Sequence, residues 1–325
     1  MSKSEMDDSP FHPGELAVQD RSGVLDEADY LGRRMFRPFL TEPHREFFAQ
    51  LPFILIGSVD GAGQPWASML IGKPGFVHAP DPMLLEIDAL VSAADPLDKA
   101  LRPDAALGVL GIQLQTRRRN RMNGRVRERS ESGFSILVDQ SFGNCPKYIS
   151  ARSPSFDPSL PLTAAVAARP ESQHLSDAAV ACIAAADTCF IASASAAVFA
   201  ADDSREGADV SHRGGKVGFV RVMQTPSGTK LYMPDFAGNN AFNTLGNLAR
   251  YPRAGLLFPN FETGDVLLLA CSSEIHWDGP LLARFAGAQR MVVFSVHSGL
   301  TLPQHMPFRW TAPVPGPHVE RTGTW

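Results

Sequence analysis

The chain has 325 residues, 44% of them hydrophobic and 20% charged. That is longer than the roughly 100–200 residues of a usual domain, so two domains or one doubled domain is expected, and too apolar for a disordered chain. A formal net charge of -4 and a pI near 6.1 exclude a global attraction to nucleic acid or to an anionic membrane. No run approaches the ~18–20 apolar residues that span a bilayer.

In chain order, residues 1–44 read as an N-terminal arm and helix. The polar, acidic "MSKSEMDDSPFHPGE" lacks an apolar signal region, which predicts a soluble, cytoplasmic protein. The arm runs to about Gly23, and "LDEADYLGRRMF" is a short helix. "TEPHREFFAQLP" is a second helix, with Thr41 as N-cap and Pro43 in the first turn. Residues 45–150 form a first antiparallel unit. Within it, "FILIGSVDGAGQPWASMLIGKPGFV" is a hairpin, and a third strand follows Gly75. "DPLDKALRP" is a small helix, and "AALGVLGIQL" and "RNRMNGRVRER" are strands around an Asn-Gly turn at Asn123 and Gly124. Residues 151–177 are a linker and the start of the helix "ESQHLSDAAVACIAAAD". Residues 178–290 form a second unit: strand "TCFIASAS", a polar excursion "AADDSREGADVSHRGG", strands "KVGFVRVM" and "TKLYMP", helix "NAFNTLGNLARYP", and strands "AGLLFPNF" and "DVLLLACSSEIHW". Residues 291–325 read as a C-terminal tail.

The two units share landmarks in one order. "GKPGFV" at Gly72 to Val77 returns as "GKVGFV" at Gly215 to Val220. Ser68 precedes the first as Ser211 precedes the second, and a short helix ends at Arg102-Pro103 as another does at Tyr251-Pro252. This is an internal repeat. Each unit has about six strands, enough to close a small barrel and remove its edges.

Several stretches carry the chemistry. "DVSHRGGKVGFVRV" and "LYMPDFAGNNAFNTLGNLARYPRAGLLF", with "RNRMNGRV" and "SFGNCPKYI", resemble the FMN-binding split-barrel family related to pyridoxamine 5'-phosphate oxidase, in its two-barrel branch. The resemblance covers about residues 45 to 290. It implies a mainly β fold of tandem split barrels and a flavin (FMN)-dependent oxidoreductase acting on a small organic substrate. It also implies a homodimer, and a separate flavin reductase as partner, because some members carry that module fused. Single-barrel members pair with sites at the interface, so two barrels in one chain imply an internal pseudo-dimer. "SMLIGK" lacks the basic donor of "SHRGGK", so one competent site is expected. The alternative is a haem- or flavin-binding protein for storage, sensing or degradation without flavin turnover; a third reading is a barrel scaffold with no cofactor.

A flavin phosphate needs Arg, Lys and backbone N–H donors. "SHRGGK" offers Ser211, Arg213 and Lys216, and Asn239, Asn240 and Thr244 surround a helix start, which favours anions. The family often has a Ser-Arg-Lys type sequence where Asn239 and Asn240 stand, which leaves an Asn-capped helix without ligand as the other reading there. In the Arg-rich stretch Arg117 to Arg129, a solvated charged strand competes with a functional face, since Arg119, Arg121 and Asn123 alternate onto one side. The resemblance directs Arg119 and Arg121 toward the flavin or a substrate anion. His212 and Cys145 are the candidate catalytic residues, the one as proton donor or ligand in a polar loop, the other as a thiol beside Lys147. Each also has a purely structural reading. The four cysteines show no CxxC spacing, and no HExxH, GxSxG, Walker or GxGxxG motif is present, so no metal is expected.

Overall fold

The computed structural model describes residues 8–162, 167–199, 203–283 and 285–325. Helices α1 (Pro13–Arg21), α2 (Leu25–Met35) and α3 (Glu42–Ala49) lead into strands β1 (Phe53–Val59), β2 (Pro65–Ile71), β3 (Val77–Asp81) and β4 (Leu84–Ile87). Helix α4 (Leu97–Ala100) and strands β5 (Ala106–Gln113), β6 (Arg118–Arg129) and β7 (Phe134–Asn144) complete the first half. Short strands β8 (Pro154–Phe156) and β9 (Arg169–Glu171) precede α5 (Asp177–Ala185). The second half contains β10 (Thr188–Ala194), β11 (Ala208–Gly214), β12 (Arg221–Thr225), β13 (Gly228–Phe236), α6 (Asn243–Arg250), β14 (Arg253–Pro259), β15 (Val266–His276), α7 (Pro280–Ala283) and β16 (Ala288–Leu302). Strand β17 (Phe308–Trp310), which pairs with β8, and helix α8 (Pro317–Glu320) close the described chain.

The first sheet runs β2-β1-β5-β6-β7-β4-β3 and the second β11-β10-β14-β15-β16-β13-β12. Strand for strand these are the same order, so the fold is mainly β with short helices, in two large antiparallel sheets consistent with two split barrels. The doubled hexapeptide is the same turn in each, joining β2 to β3 and β11 to β12. A Cβ on Gly72 or on Gly215 would stand 2.6 Å from the Cβ of Phe76 or Phe219 respectively. Gly75 (φ +100°) and Gly218 (φ +77°) occupy left-handed backbone, which a side chain would strain. Both turns tie back to the preceding helix: Gly75 N donates to Ala49 O and Gly218 N to Ala186 O.

Strand β1 is buried on both faces, which explains its unbroken apolar run. Ile54 and Ile56 enter the core of the first sheet, while Phe53 and Leu55 join a cluster between the sheets with Trp66, Met69, Phe190 and Leu268. The two halves approach reciprocally. A Cβ on Gly108 would meet Ala208 O at 2.6 Å, and one on Gly255 would meet Trp66 Cα at 2.5 Å. The sheets end at β2 and β11 rather than closing by pairing, and each of these edges is covered by the other half. Edge protection thus comes from the neighbouring repeat, not from ring closure as expected. Among the described residues, no helix is long and apolar enough to cross a membrane.

Four further sequence expectations are corrected. Asn123 and Gly124 form no turn; they lie inside β6 at a register shift against β7, and the chain reverses at Leu114 to Arg117, where Arg117 has φ +55°. "ADVSHRG" is strand β11, so His212 sits in a ladder rather than a loop. Residues 13–21 of the arm are helix α1, capped by His12 and Glu15, and residues 1–7 lie outside the described chain. The boundary at 290/291 cuts β16, a 15-residue strand between β15 and β13; polar, Ser- and Gly-containing residues in its second part concealed its period.

Candidate functional site

A buried polar network joins the repeats. Arg121 on β6, 2% exposed, donates from Nη1 to Asp209 Oδ1 at 3.0 Å and Asn243 Oδ1 at 3.1 Å, and from Nη2 to Ser211 Oγ. Asn123 Nδ2 also donates to Asp209 Oδ1, at 2.8 Å, and Asn247 Nδ2 to its Oδ2, at 2.8 Å. Thr244 Oγ1 donates to Ser211 Oγ at 3.0 Å. Asn243 Nδ2 donates to Glu15 of α1, whose carboxyl burial pushes up to about 7; Asp209 adds to the rise, while His12 and Asn243 oppose it. Desolvation also lowers the Arg121 pKa, with Asp209 countering it. Arg121 and Asp209 are thus a desolvated pair that needs both members, and losing one partner of such a pair costs about 3–5 kcal/mol.

Outside this network opens a cleft lined by β6, the chain after β7, β11, the end of β13 and the start of α6. Its volume is about 110 Å³, below the roughly 300–1,000 Å³ of pockets that bury a drug-sized ligand. The cleft therefore has room for a small group, and anything larger extends beyond it. The side chain of Arg213, on its wall, makes one hydrogen bond among the described residues, to the His212 carbonyl oxygen at 3.1 Å. The N-terminus of α6 faces the cleft without a side-chain cap: its N-cap is Phe242 in left-handed backbone, φ 59°, preceded by Asn240 at φ 62°. A bulky side chain there is strained by about 1–3 kcal/mol. The alternative reading of an Asn-capped helix is not met; Asn239 Oδ1 accepts instead from Ala241 N, at 3.3 Å.

His212 is 3% exposed and edge-on to Phe190, and among the described residues its Nε2 has no hydrogen-bond partner. Burial first, then Arg119, Arg213 and Arg152, lower its pKa well below the ordinary value, so the ring is neutral. Arg119 donates from Nε to Cys145 O at 2.6 Å and from Nη2 to Cys145 Sγ at 3.4 Å; desolvation lowers its pKa to about 10, still a cation at neutral pH. Lys147 Nζ reaches Gly238 O at 3.4 Å, and Tyr148 stacks on Phe236 with centroids 4.9 Å apart. The one carboxylate on the wall, Asp235, is held by Arg290 at 2.9 Å. The cleft is electropositive and suits an anion.

The structure brings Arg119, Arg121, Cys145, Ser211, His212, Arg213, Asn239, Asn240 and Thr244 onto one wall system. Lys216 does not line it: it belongs to the turn of the hexapeptide, where its carbonyl accepts from Phe219 N at 2.9 Å. Sequence reasoning missed Asp209, Asn243, Asn247 and Glu15. The period of two along β11 places Asp209, Ser211 and Arg213 on one face, a signal that could have found the first. Among the described residues, no group of three or more His, Cys, Asp or Glu side chains is placed to hold a metal ion.

No protein-family model matches the sequence, and comparison with characterised proteins finds no match. Thirteen chains of solved structure match the fold. HupZ of Group A Streptococcus is 9% identical, covering 38% of this chain and 90% of that one, with a TM-score of 0.28. A candidate pyridoxamine 5'-phosphate oxidase from Lactobacillus delbrueckii is 14% identical over 39% of this chain and 94% of that one, TM-score 0.30. HutZ, the haem storage protein of Vibrio cholerae, is 12% identical over 45% and 99%, TM-score 0.24.

Proposed function

We propose that the cleft holds the phosphate of FMN and that the chain is an FMN-dependent oxidoreductase acting on a small organic substrate. The observation that carries this reading is the coincidence of Arg213, whose guanidinium among the described residues bonds only to a carbonyl, and the uncapped start of α6 in one electropositive cleft. Helix amides and a guanidinium are the donors a phosphate dianion requires. A volume of about 110 Å³ accepts a phosphate-sized group, and a flavin's ring system would extend beyond it. Arg119 and Lys147 place positive charge there, and Tyr148 and Phe236 present aromatic surface. Bound FMN would supply hydride or electron exchange with the substrate. The chain's own part is to orient the phosphate, to hold Arg121 immobile through Asp209, and to keep the imidazole of His212 neutral. A separate flavin reductase and a homodimer belong to the same reading as partners.

One feature favours haem as a second reading: a neutral imidazole with an unpartnered Nε2 beside the cleft is the form that binds iron. The absorbance spectrum of purified protein separates the two. Flavin gives bands near ~375 and ~450 nm, whereas haem gives an intense Soret band, each a property of the cofactor itself. A colourless protein that also fails to quench FMN fluorescence on titration would refute both.

A further inference from the structure

The chain has four free cysteines, and they differ in setting. Cys189 and Cys271 are buried in the core of the second sheet, and burial pushes both thiols up. Cys182 on α5 is pushed up to about 11 by burial. Cys145 instead lies on the wall of the cationic cleft, its sulfur 3.4 Å from the Arg119 guanidinium, two residues from Lys147. An independent observation marks the same cleft as built for a ligand: His212, 3% exposed, lines it with its Nε2 unpartnered.

We infer that Cys145 is a thiol-modification site, reacting with small anionic disulfides that Arg119 and Lys147 attract and orient. Arg119 and Lys147 place positive charge where an anionic disulfide would approach the sulfur, and a partly exposed electropositive surround is what distinguishes reactive from inert thiols. In the reaction the Cys145 proton goes to solvent and the thiolate attacks one sulfur of the reagent. A Cys145–S bond forms as the reagent's S–S bond breaks, and the departing half leaves as a thiolate with the electron pair. Cys145 is oxidised and half of the reagent is reduced, so no further oxidant is required. The attached anionic half then occupies the mouth of the cleft. That last consequence, exclusion of FMN, rests on the flavin reading; the modification itself does not.

The test uses the intact chain and two probes, the dianionic disulfide 5,5'-dithiobis(2-nitrobenzoate) and the dicationic disulfide cystamine. Release of thiolate is followed in time and the modified residue is located by peptide mass. The first equivalent of the anionic probe is expected on Cys145, at least ~10-fold faster than cystamine at low salt, with the ratio shrinking as salt screens the cleft. Arg119→Met should reduce that ratio, which separates attraction by charge from mere exposure of the sulfur. Cys145→Ser should lose the fast phase, and mapping on the unsubstituted chain decides the matter should that variant fail to fold. First labelling at Cys182, or equal rates for the two probes, would overturn the inference. FMN titration before modification, after it, and after reduction by dithiothreitol should show affinity lost and restored. Labelling at Cys145 in a chain that never binds FMN would sustain the thiol site and overturn the flavin reading.

Discussion

The cleft has a counterpart in the first repeat, and the two are built on equivalent strands with opposite contents. Counting back from the turn glycines Gly215 and Gly72, Arg213 corresponds to Leu70, His212 to Met69, Ser211 to Ser68 and Asp209 to Trp66. Gly108, paired with Gly57, corresponds to Gly255, paired with Ala192. Two steps along each ladder, Arg121 faces Leu110 where Leu268 faces Leu257. The places of Asp209 and Arg121 are therefore taken by Trp66 and Leu268, members of the apolar cluster between the sheets that also holds Met69 and Phe308. One remnant persists. Ser68 Oγ donates to Asp95 Oδ1 at 2.5 Å, and Leu97 N donates to the same oxygen at 2.9 Å. The start of α4 is satisfied by the chain's own carboxylate, whereas the start of α6 is left open. The difference teaches that a duplicated interface provides two similar hollows, and that side-chain substitution alone turns one into packing while the other keeps charge.

The largest break in this comparison should come from Asp209→Ala, which leaves Arg121 buried without its anion. A loss of about 3–5 kcal/mol in urea unfolding is expected. Copying the apolar solution, with Arg121→Leu and Asp209→Trp together, should recover part of that stability. A loss under about 0.5 kcal/mol, typical of an exposed position, would show that the network does not hold the repeats together.

Glu15 ties α1 to the second repeat through Asn243, and its pH dependence has a definite sign. Its carboxyl is raised from 4.5 to about 7, so the fold retains the proton that the unfolded chain releases. This contribution is fully present below pH 4.5 and is lost as pH rises through 7. Compared with Glu15→Gln, the unsubstituted chain should match it near pH 4.5 and be weaker by about 3 kcal/mol at pH 8. Neutral His212 acts oppositely, disfavouring the fold below its ordinary value of 6.5, and cancels in the difference between the two proteins. Parallel stability curves for both would break the link.

At the cleft itself, Arg213→Ala should weaken FMN binding by about 1.5–3 kcal/mol, the scale of a charge-assisted hydrogen bond. Lys73→Ala, in the other repeat, should leave affinity unchanged; equal effects in fluorescence titrations would mean that both hollows bind. Lys216→Ala is expected to be as silent as Lys73→Ala. Its side chain is off the cleft, so a change within about 0.5 kcal/mol sharpens the boundary of the site.

The repeat was legible because its marks are local requirements. A turn in which Phe76 or Phe219 folds over a glycine, followed by a glycine with positive φ, tolerates little else at those positions. The face shared by Arg119 and Arg121 was legible for a similar reason, since alternation along a strand is a property of the backbone. By contrast, Asp209 was not recognisable as the partner of Arg121, because it lies 88 residues away. Nor could Asn239 and Asn240 be told from caps, since Phe242 takes that position only in a strained backbone held by its surroundings, including Arg290 over its ring at 4.9 Å.

From its amino acids alone the chain specifies two copies of one antiparallel unit, the turns that connect their strands, and a concentration of donors around Ser211 and Arg213. These follow from steric limits and periodicities acting over a few residues. Which hollow stays open was decided only in the folded molecule. Opening depends on whether strands from different repeats meet Leu268 and Trp66 or Arg121 and Asp209, and such desolvated contacts have no local signature. The same holds for α1, whose Glu15 reads as an ordinary first-turn acid until the fold buries it against Asn243.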